Sequence, residues 1–253
     1  MTHTPTTERK RGSTVQNPAT TKYSWQEWAK GYAAWIAVLP LYLGLWAFAI
    51  TFKRVPAWLH RKLLRDWERV TASRTHNVRI PTDPKIPAYM LRWWKIRRNA
   101  FFNTYYHLVK RSDDDTALHD HPWWNFSIVL EGGYFEHRIL EGGVNTKIWY
   151  PAGSVLFRRR GAYAHRLELV SRSVPVVKSH GVDPVTGDLV FTGSEMQELP
   201  VKTIFVTGPV LRRWGFHHPE QWVDAYDWDE FLNSRGIVSM KMAGYAEQLE
   251  KPQ

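Results

Sequence analysis

The sequence predicts an all-β domain of antiparallel strands over residues 88–232. Short runs rich in β-branched and aromatic residues follow one another there, with no amphipathic helical segment between them. Leu-Glu-Gly-Gly occurs twice, at 130–133 and 140–143, and paired glycines supply the positive φ angles of tight hairpin turns. Strands at this spacing are typical of an antiparallel sandwich or barrel.

The strand-like runs continue from about residue 100 to about residue 209. They lie at 101–109, 126–130, 134–140, 144–150, 154–158, 164–170 and 201–209. The segment 208–222 carries too many aromatic and turn residues for a plain strand. We expect it to cover the mouth of the barrel, with packing of Trp214, Phe216 and Trp222 in the core as the alternative.

The N-terminal region predicts a membrane helix. Residues 1–22 are rich in Thr, Lys and Arg and are expected to form a disordered basic tail. Residues 31–52 contain no charged residue, and a helix of that length spans about 33 Å, enough for a bilayer core. We therefore expect one membrane-spanning helix with its flanks over 23–54, with lipid around 31–52. A buried core helix and a cleaved signal peptide are the alternatives.

Positive charges favour one orientation of that helix. More Lys and Arg follow the uncharged run than precede it, which favours a single-pass protein with a cytoplasmic C-terminal domain. The segment 55–70 places tryptophan and leucine among basic residues, which predicts a juxtamembrane amphipathic helix on anionic headgroups. Pro81, Pro84 and Pro87 then indicate a linker, which completes the segment 55–87 after that helix. Residues 233–253 are expected to form a C-terminal tail.

Composition narrows the function classes. The net charge of +10 is compatible with a nucleic-acid or anionic-membrane partner, but no helix-turn-helix, zinc-finger or RNA-binding signature accompanies it. Nucleic acid is therefore not the expected partner. The absence of cysteine excludes disulfides, thiolate metal ligands and cysteine nucleophiles. The oligomeric state stays open.

Two histidines two residues apart are the strongest chemical signal. His119 and His121 point to the same side of a strand, because side chains alternate along an extended chain. Two converging imidazoles form half of a first-row transition-metal site. His165 is the best third ligand, since leucines two and four residues later share its face and indicate that this face turns inward. The same alternation argues against Glu168 as a ligand.

Around these histidines the sequence resembles the cupin superfamily. The run HDHPWWNFSIVLEGG (119–133) has the spacing of the first cupin motif, with position 125 where that motif has Glu. The run GSVLFRRRGAYAHRL (153–167) resembles the second motif loosely, since Arg159 replaces its proline and His165 comes one residue late.

A narrower resemblance points to cupin-like proteins of tailed phages and prophages that carry an HDHPW motif. The blocks that carry it are 111–123, 161–169 and 205–222. The resemblance covers about residues 88–232. It implies a double-stranded β-helix, or jelly-roll, barrel that binds one divalent metal (Fe, Mn, Ni or Zn) through His119, His121 and His165.

One position departs from the resembled pattern. Asn125 stands where the superfamily has Glu and the phage-like group has Asp, and a neutral amide is a poor ligand for Fe²⁺ or Mn²⁺. We expect three histidines with Asn125 as a weak fourth ligand. A barrel that has lost its metal is the alternative.

Four further residues are candidates for substrate binding. Tyr134 and Glu136 share a face, and Glu136 either points into the pocket or faces outward. Arg158 and Arg160 lie near the third histidine and are candidates for an anion-binding rim, with a solvated charge cluster as the alternative. The aspartates at 113–115 lack the glycine and distal glutamate of a calcium loop and are expected in a solvated turn.

The sequence leaves three function classes open. The first is a membrane-anchored, metal-dependent enzyme acting on a small polar substrate. The second is a ligand-binding module with or without metal, and the third is a structural phage or prophage membrane protein. No phosphate-binding loop, zinc-protease helix motif or nucleophile elbow occurs in the sequence.

Overall fold

The computed structural model describes most of the chain between residues 25 and 234. The described residues are 25–81, 84–113, 117–139, 145–176, 183, 185–188, 193–218, 221–225 and 227–234. The basic tail predicted at 1–22 lies outside them, as does all but the start of the tail predicted at 233–253.

Helices dominate the N-terminal part of the described chain, and strands dominate the remainder. The helices are α1 (Trp25–Ala37), α2 (Leu39–Thr51), α3 (Ala57–Ser73) and α4 (Trp228–Asn233). The strands are β1 (Val78–Ile80), β2 (Met90–Trp94), β3 (Asn103–Val109), β4 (Leu118–His119), β5 (Asn125–Glu131), β6 (Gly133–Ile139), β7 (Asn145–Pro151), β8 (Val155–Arg158), β9 (Arg166–Leu169), β10 (Ser171–Val176), β11 (Gly193–Glu198), β12 (Val201–Thr207), β13 (Gly215–His217) and β14 (Trp222–Asp224).

A six-stranded antiparallel sheet forms one wall of the domain, in the order β1-β2-β3-β12-β5-β8. Side chains alternate across this wall. In β5, Phe126 and Ile128 face the helices, whereas Ser127 and Val129 face the interior between the sheets. Because both faces are covered, β5 is buried at every position except its last.

The opposite wall consists of two three-stranded sheets, β7-β6-β9 and β14-β13-β4. An isolated bridge joins them, because His119 and His165 each donate the backbone N–H to the other's carbonyl oxygen at 2.9 Å. The strands of this wall therefore follow one another in the order β7-β6-β9-β4-β13-β14. The predicted antiparallel, mostly β architecture is confirmed for the described residues.

Helices α2 and α3 add a layer that the prediction of an all-β domain did not include. They cover the outer face of the six-stranded sheet and share one hydrophobic core with it. Tyr42 packs edge-on against Trp124 and Phe157, with ring centroids 5.4 and 5.1 Å apart. Phe48 packs against Phe126 in the same manner, at 6.1 Å. One face of α2 thus belongs to the core of the domain.

The apolar run that was predicted as one helix folds as two. α1 and α2 meet at Val38 with a bend of 58°, and Pro40, in the first turn of α2, has no N–H to donate to the preceding turn. Among the described residues, no single helix has the length and apolar character needed to cross a membrane. α1 and α2 satisfy that test only together, as a bent pair.

α3 falls within the segment 55–87, where an amphipathic helix was predicted, but its apolar face lies on protein. Trp67 is buried against the sheet, and its Nε1 donates to the carbonyl oxygen of His107 at 3.2 Å. Asp66 accepts hydrogen bonds from Lys95 and Tyr106. The part of the apolar face around Trp67 is therefore covered by the outer surface of the sheet, whereas Trp58 in the first turn of α3 is exposed.

Candidate metal centre

Three histidines converge on the inner side of the wall formed by the three-stranded sheets. His119 lies in β4, His121 follows two residues later, and His165 directly precedes β9. The Nε2 atoms of His121 and His165 are 2.8 Å apart, and one ring nitrogen from each histidine lies within 4.8 Å of the others. Two nitrogens bound to one ion at about 2.1 Å each lie roughly 3.0–3.4 Å apart. The triad therefore fits a first-row divalent metal after small side-chain rotations.

The backbone around the triad brings these side chains together. The bridge between His119 and His165 sets the two residues side by side on adjacent strands. His121 donates its backbone N–H to the carbonyl oxygen of Gly161 at 2.9 Å. A Cβ atom at Gly161 would lie 2.3 Å from the carbonyl oxygen of His121, so this close approach requires glycine.

Glu136 fixes the orientation of His165. Its Oε1 atom lies 2.6 Å from Nδ1 of His165, deep in the wall. An ionised carboxylate only accepts hydrogen bonds, so Nδ1 carries the ring proton and the lone pair of Nε2 faces the centre of the triad. Carboxylate–histidine pairs of this kind orient metal ligands and raise their basicity.

Two of the imidazoles are held neutral at neutral pH. Burial lowers the pKa of His165 to about 4, and the charge of Arg158 adds to this effect. Burial, followed by the neighbouring His165 and His119, holds the pKa of His121 well below its usual 6.5. Neutral imidazole is the form that binds metal ions.

Glu136 itself is held ionised by two arginines. Nε of Arg158 donates to Oε1 at 3.0 Å, and Nε of Arg138 donates to Oε2 at 2.7 Å. Burial alone raises the pKa of Glu136, but Arg158, His165 and Arg138 outweigh burial and hold the pKa well below its usual range. Glu136 is thus neither outward-facing nor among the described residues that line the cavity; it is buried within the wall as a charged partner of His165.

Asp113 gives His119 a carboxylate neighbour of its own. Its Oδ2 lies 3.7 Å from Nδ1 of His119 and accepts the backbone N–H of Leu167 at 2.7 Å. The side chain is buried, and within the described part of the chain Oδ1 has no hydrogen-bond partner. The solvated turn predicted for 113–115 is therefore wrong at Asp113, because the β9 backbone binds this carboxylate inside the wall. The next two aspartates lie outside the described residues.

Asp120, between the two histidines of the pair, anchors a different segment. Its carboxylate accepts hydrogen bonds from the backbone N–H of Gly215 at 2.8 Å and from Nε1 of Trp222 at 3.1 Å. It also pairs with Arg212 at 2.9 Å and with His217 at 3.0 Å. The strand that carries the histidines is thus tied to β13 and β14, a contact that the sequence analysis missed although alternation places Asp120 opposite the ligands.

The other sequence candidates lie in different surroundings. Tyr134 and Arg158 line the cavity beside the triad. Arg160 is exposed and is not among the described residues that line this cavity, because β8 ends at Arg158 and the chain turns at Gly161. Asn125 is buried, and its Oδ1 accepts a hydrogen bond from Nη1 of Arg158 at 3.3 Å. A role for Asn125 as a weak fourth ligand stays a prediction.

The triad faces a cavity of about 90 Å³. Its walls are mainly apolar; they include Ile80, Tyr89, Met90, Val109, Leu167, Phe205 and Trp214. Among the described lining residues, Arg92 and Arg158 are cationic and none is Asp or Glu. Nε of Arg92 donates to Nε2 of His107 at 2.8 Å, which fixes the guanidinium in the wall. This combination favours a small ligand that carries negative charge.

Comparisons with known proteins assign no family. No family profile and no curated protein matches the sequence. A hydroxypropylphosphonic acid epoxidase from S. wedmorenis aligns with 47% of this chain and 50% of its own, at 18% identity and a TM-score of 0.29. Ethanolamine utilization protein q from Salmonella typhimurium aligns at 10% identity over 48% of this chain and 70% of its own, with a TM-score of 0.28.

A conserved protein of unknown function from Streptococcus pyogenes gives similar values. It aligns at 10% identity over 47% of this chain and 74% of its own, with a TM-score of 0.28. This chain spans about half the length of the epoxidase, the first of the three. Similarities this low leave the functional conclusions to the geometry of the site itself.

Proposed function

We propose that the domain is a cupin-type barrel that holds one divalent metal on His119, His121 and His165. The observation that carries the proposal is the convergence of three ring nitrogens within 4.8 Å, one of them oriented by Glu136. Fe, Mn, Ni and Zn all accept imidazole ligands. The bridge between His119 in β4 and His165, which directly precedes β9, supports the barrel type because it aligns these two strands side by side.

The ligand of this site, in our proposal, is a small organic anion with an apolar body. Arg92 supplies positive charge to a cavity whose remaining walls are largely apolar, and Arg158 supplies further hydrogen-bond donors, its own charge being offset in part by Glu136. Burial raises the pKa of Tyr134 to about 12, so its hydroxyl stays protonated and is available as a hydrogen-bond donor. A bound metal would supply Lewis-acid charge beside these groups. Arg158, held in place by Glu136, would orient the charged end of the ligand.

Metal analysis of the full-length protein tests the first part of the proposal. Protein stripped with a chelator and dialysed against Zn²⁺ or anaerobic Fe²⁺ is expected to retain a single equivalent, and His121→Ala is expected to abolish retention. His137→Ala is the matched control, because the His137 ring pairs with Glu168 at 2.6 Å, on the face of β9 opposite the triad. A wild-type protein that retains no metal, or a folded His121→Ala variant that retains it fully, contradicts the proposal.

Ligand charge is tested on Co²⁺-loaded protein, whose visible absorption reports changes at the metal. Acetate and benzoate are expected to shift the spectrum at lower concentration than acetamide and benzamide, which match them in shape without the charge. Arg92→Gln is expected to weaken the carboxylate response about tenfold. Equal responses to acids and amides would rule out the anion preference.

A non-catalytic binding protein is the second candidate. It is favoured by the lack of charge in the ligand set. The three ligands are histidines, and position 125, where the resembled pattern has a carboxylate, is Asn in this sequence. Oxygen consumption by Fe²⁺-loaded protein, measured with the small carboxylates present, separates the candidates. Turnover above the His121→Ala background indicates an enzyme, and carboxylate binding without turnover indicates a binder.

A further inference from the structure

Helix α2 is apolar on all sides, yet the domain covers only half of it. Tyr42, Phe48 and Ala49 face the six-stranded sheet and belong to its hydrophobic core. Leu43 and Ile50 lie on the opposite side with exposed fractions of 46% and 55%. A helix that is hydrophobic all round is normally buried all round. The outer face of α2 therefore lacks its cover among the described residues.

The exposed apolar surface extends beyond α2. Ile36 near the end of α1, Trp46 in α2 and Trp58 in the first turn of α3 are all exposed. Spacings of three and four residues place Leu43, Trp46 and Ile50 along one side of α2, and Ile36 lies beyond the bend, at the end of α1. We call the exposed apolar residues Ile36, Leu43, Trp46, Ile50 and Trp58 the outer helical face. Contiguous apolar patches of this kind mark interaction sites.

The charged residues within the segment that forms the outer helical face are all of one sign. Residues 28–65 contain six Lys and Arg residues and no Asp or Glu. Lys53 and Arg54 are exposed directly after α2, and Arg61, Lys62 and Arg65 are exposed along α3. Arg159, which follows β8, places its guanidinium carbon over the ring of Trp46, 5.5 Å from the ring centroid. An apolar stripe with cations along its border is complementary to the surface of an anionic phospholipid bilayer.

We propose that the outer helical face lies in the headgroup region of an anionic phospholipid membrane, with α2 parallel to the membrane plane. In this arrangement α2 stays packed on the sheet through Tyr42 and Phe48 and buries its opposite side in lipid. A spanning orientation would instead remove these aromatic rings from Trp124, Phe157 and Phe126. The inference is independent of the metal proposal.

Vesicle flotation of the full-length protein tests this assignment. We expect binding to vesicles of equal parts phosphatidylcholine and phosphatidylglycerol, and weak binding to phosphatidylcholine alone. The double variant Leu43→Gln/Ile50→Gln is expected to bind roughly tenfold more weakly or worse. The matched control is Ile139→Gln on β6, because Ile139 is 56% exposed, as Ile50 is, and is expected to bind like the wild type.

A charge variant distinguishes recognition of anionic lipid from nonspecific hydrophobic adsorption to vesicles. For Arg61→Glu/Lys62→Glu, the partition coefficient onto anionic vesicles is expected to fall at least about fivefold for each cation replaced. Binding to phosphatidylcholine alone is expected to stay unchanged. Circular dichroism and thermal unfolding confirm that each variant is folded. Wild-type protein that fails to bind anionic vesicles overturns the proposal. So does a stable dimer in light scattering that Leu43→Gln/Ile50→Gln dissociates, since a second copy would then be the cover.

Depth measurements distinguish an in-plane helix from a spanning one. The chain has no cysteine, and a Cβ atom at Gly44 or at Gly193 meets nothing within 4 Å, so Gly44→Cys and Gly193→Cys accept a fluorescent label. Two lipids are compared, one with a quencher near the headgroup and one with a quencher at the end of the acyl chain. The label at position 44 is expected to be quenched by the first lipid, and the label at position 193 by neither. Stronger quenching of position 44 from the end of the acyl chain would show a spanning helix and overturn the in-plane assignment.

Discussion

The carboxylate of Glu136 and the imidazole of His165 form a buried pair in which Oε1 lies 2.6 Å from Nδ1. The same oxygen accepts a hydrogen bond from Nε of Arg158 at 3.0 Å. One carboxylate therefore balances a buried guanidinium and also sets the direction of a candidate metal ligand. Fold stability and metal affinity are coupled through this single side chain.

Replacing Glu136 tests that coupling. Glu136→Gln leaves Arg158 buried without its counter-charge, and we expect a loss of about 3–5 kcal/mol in the free energy of unfolding. Metal affinity is expected to fall about tenfold or more, because His165 loses its charged partner. Urea unfolding and chelator competition measure the two effects.

The control for this variant is Glu168→Gln. Glu168 pairs with His137 and Lys147 at the surface, so we expect a change below about 1 kcal/mol and unchanged metal affinity. A folded Glu136→Gln protein with wild-type affinity would show that His165 needs no carboxylate partner.

Asp113 is expected to act on metal binding through His119. Asp113→Asn keeps an oxygen that accepts the N–H of Leu167 but removes the charge 3.7 Å from Nδ1 of His119. We expect metal affinity to fall about tenfold with little change in unfolding free energy. Asp183→Asn serves as control, since Asp183 also accepts a backbone N–H, from Val185 in a turn. Equal affinities of the two variants would remove Asp113 from the metal centre.

Asn125 decides whether the site has a fourth protein ligand. We expect Asn125→Asp to alter metal affinity by less than about threefold, because the oxygen at this position is engaged by Arg158. Isothermal titration with Zn²⁺ measures the change. Tightening by an order of magnitude would instead place residue 125 in the ligand set, as the weak-ligand prediction from the sequence requires.

The hydrogen bonds of Asp66 predict how the free energy of unfolding changes at acid pH. Hydrogen bonds from Lys95, Tyr106 and Arg69 hold the pKa of Asp66 well below its usual 3.8. Because the folded-state pKa is the lower one, the contribution of Asp66 is fully present above the unfolded-state pKa and is lost as pH falls towards the folded-state pKa.

Comparison with Asp66→Asn isolates this contribution. The difference in unfolding free energy between the wild type and Asp66→Asn should be constant above about pH 5 and should shrink below about pH 4. Urea unfolding at several pH values measures it, and Glu68→Gln, on the exposed side of the same helix, provides the control. A difference that grows on acidification would contradict the assigned direction of the shift.

Local sequence patterns predict much of the fold and part of the candidate site. Side-chain alternation is a property of neighbouring residues, so the common direction of His119 and His121 follows from their spacing, and the structure brings both rings to His165. Glu136 was open between two directions, because its partner Arg158 lies 22 positions away. Asp113 and Asp120 contact residues 54 and 95 positions away, and no local pattern reports such contacts.

The N-terminal helices show a different limit of sequence reasoning. Hydropathy measures the composition of a helix but not the surface that covers it. Residues 31–52 are apolar enough to predict a membrane span, yet Tyr42 and Phe48 use that apolar character to pack on Trp124 and Phe126. Only the register of the sheet reveals this aromatic outer surface.

The anchoring of Asp120 has a consequence for the order in which the site can form during synthesis. The strand that carries His119 and His121 obtains its outward partners from a segment more than 90 positions further along the chain, Arg212 to Trp222. On a ribosome, His165 and Glu136 emerge well before those partners. The three histidines can therefore meet before their strand is anchored, and the candidate metal centre reaches its final shape only after residues 212–222 have been made.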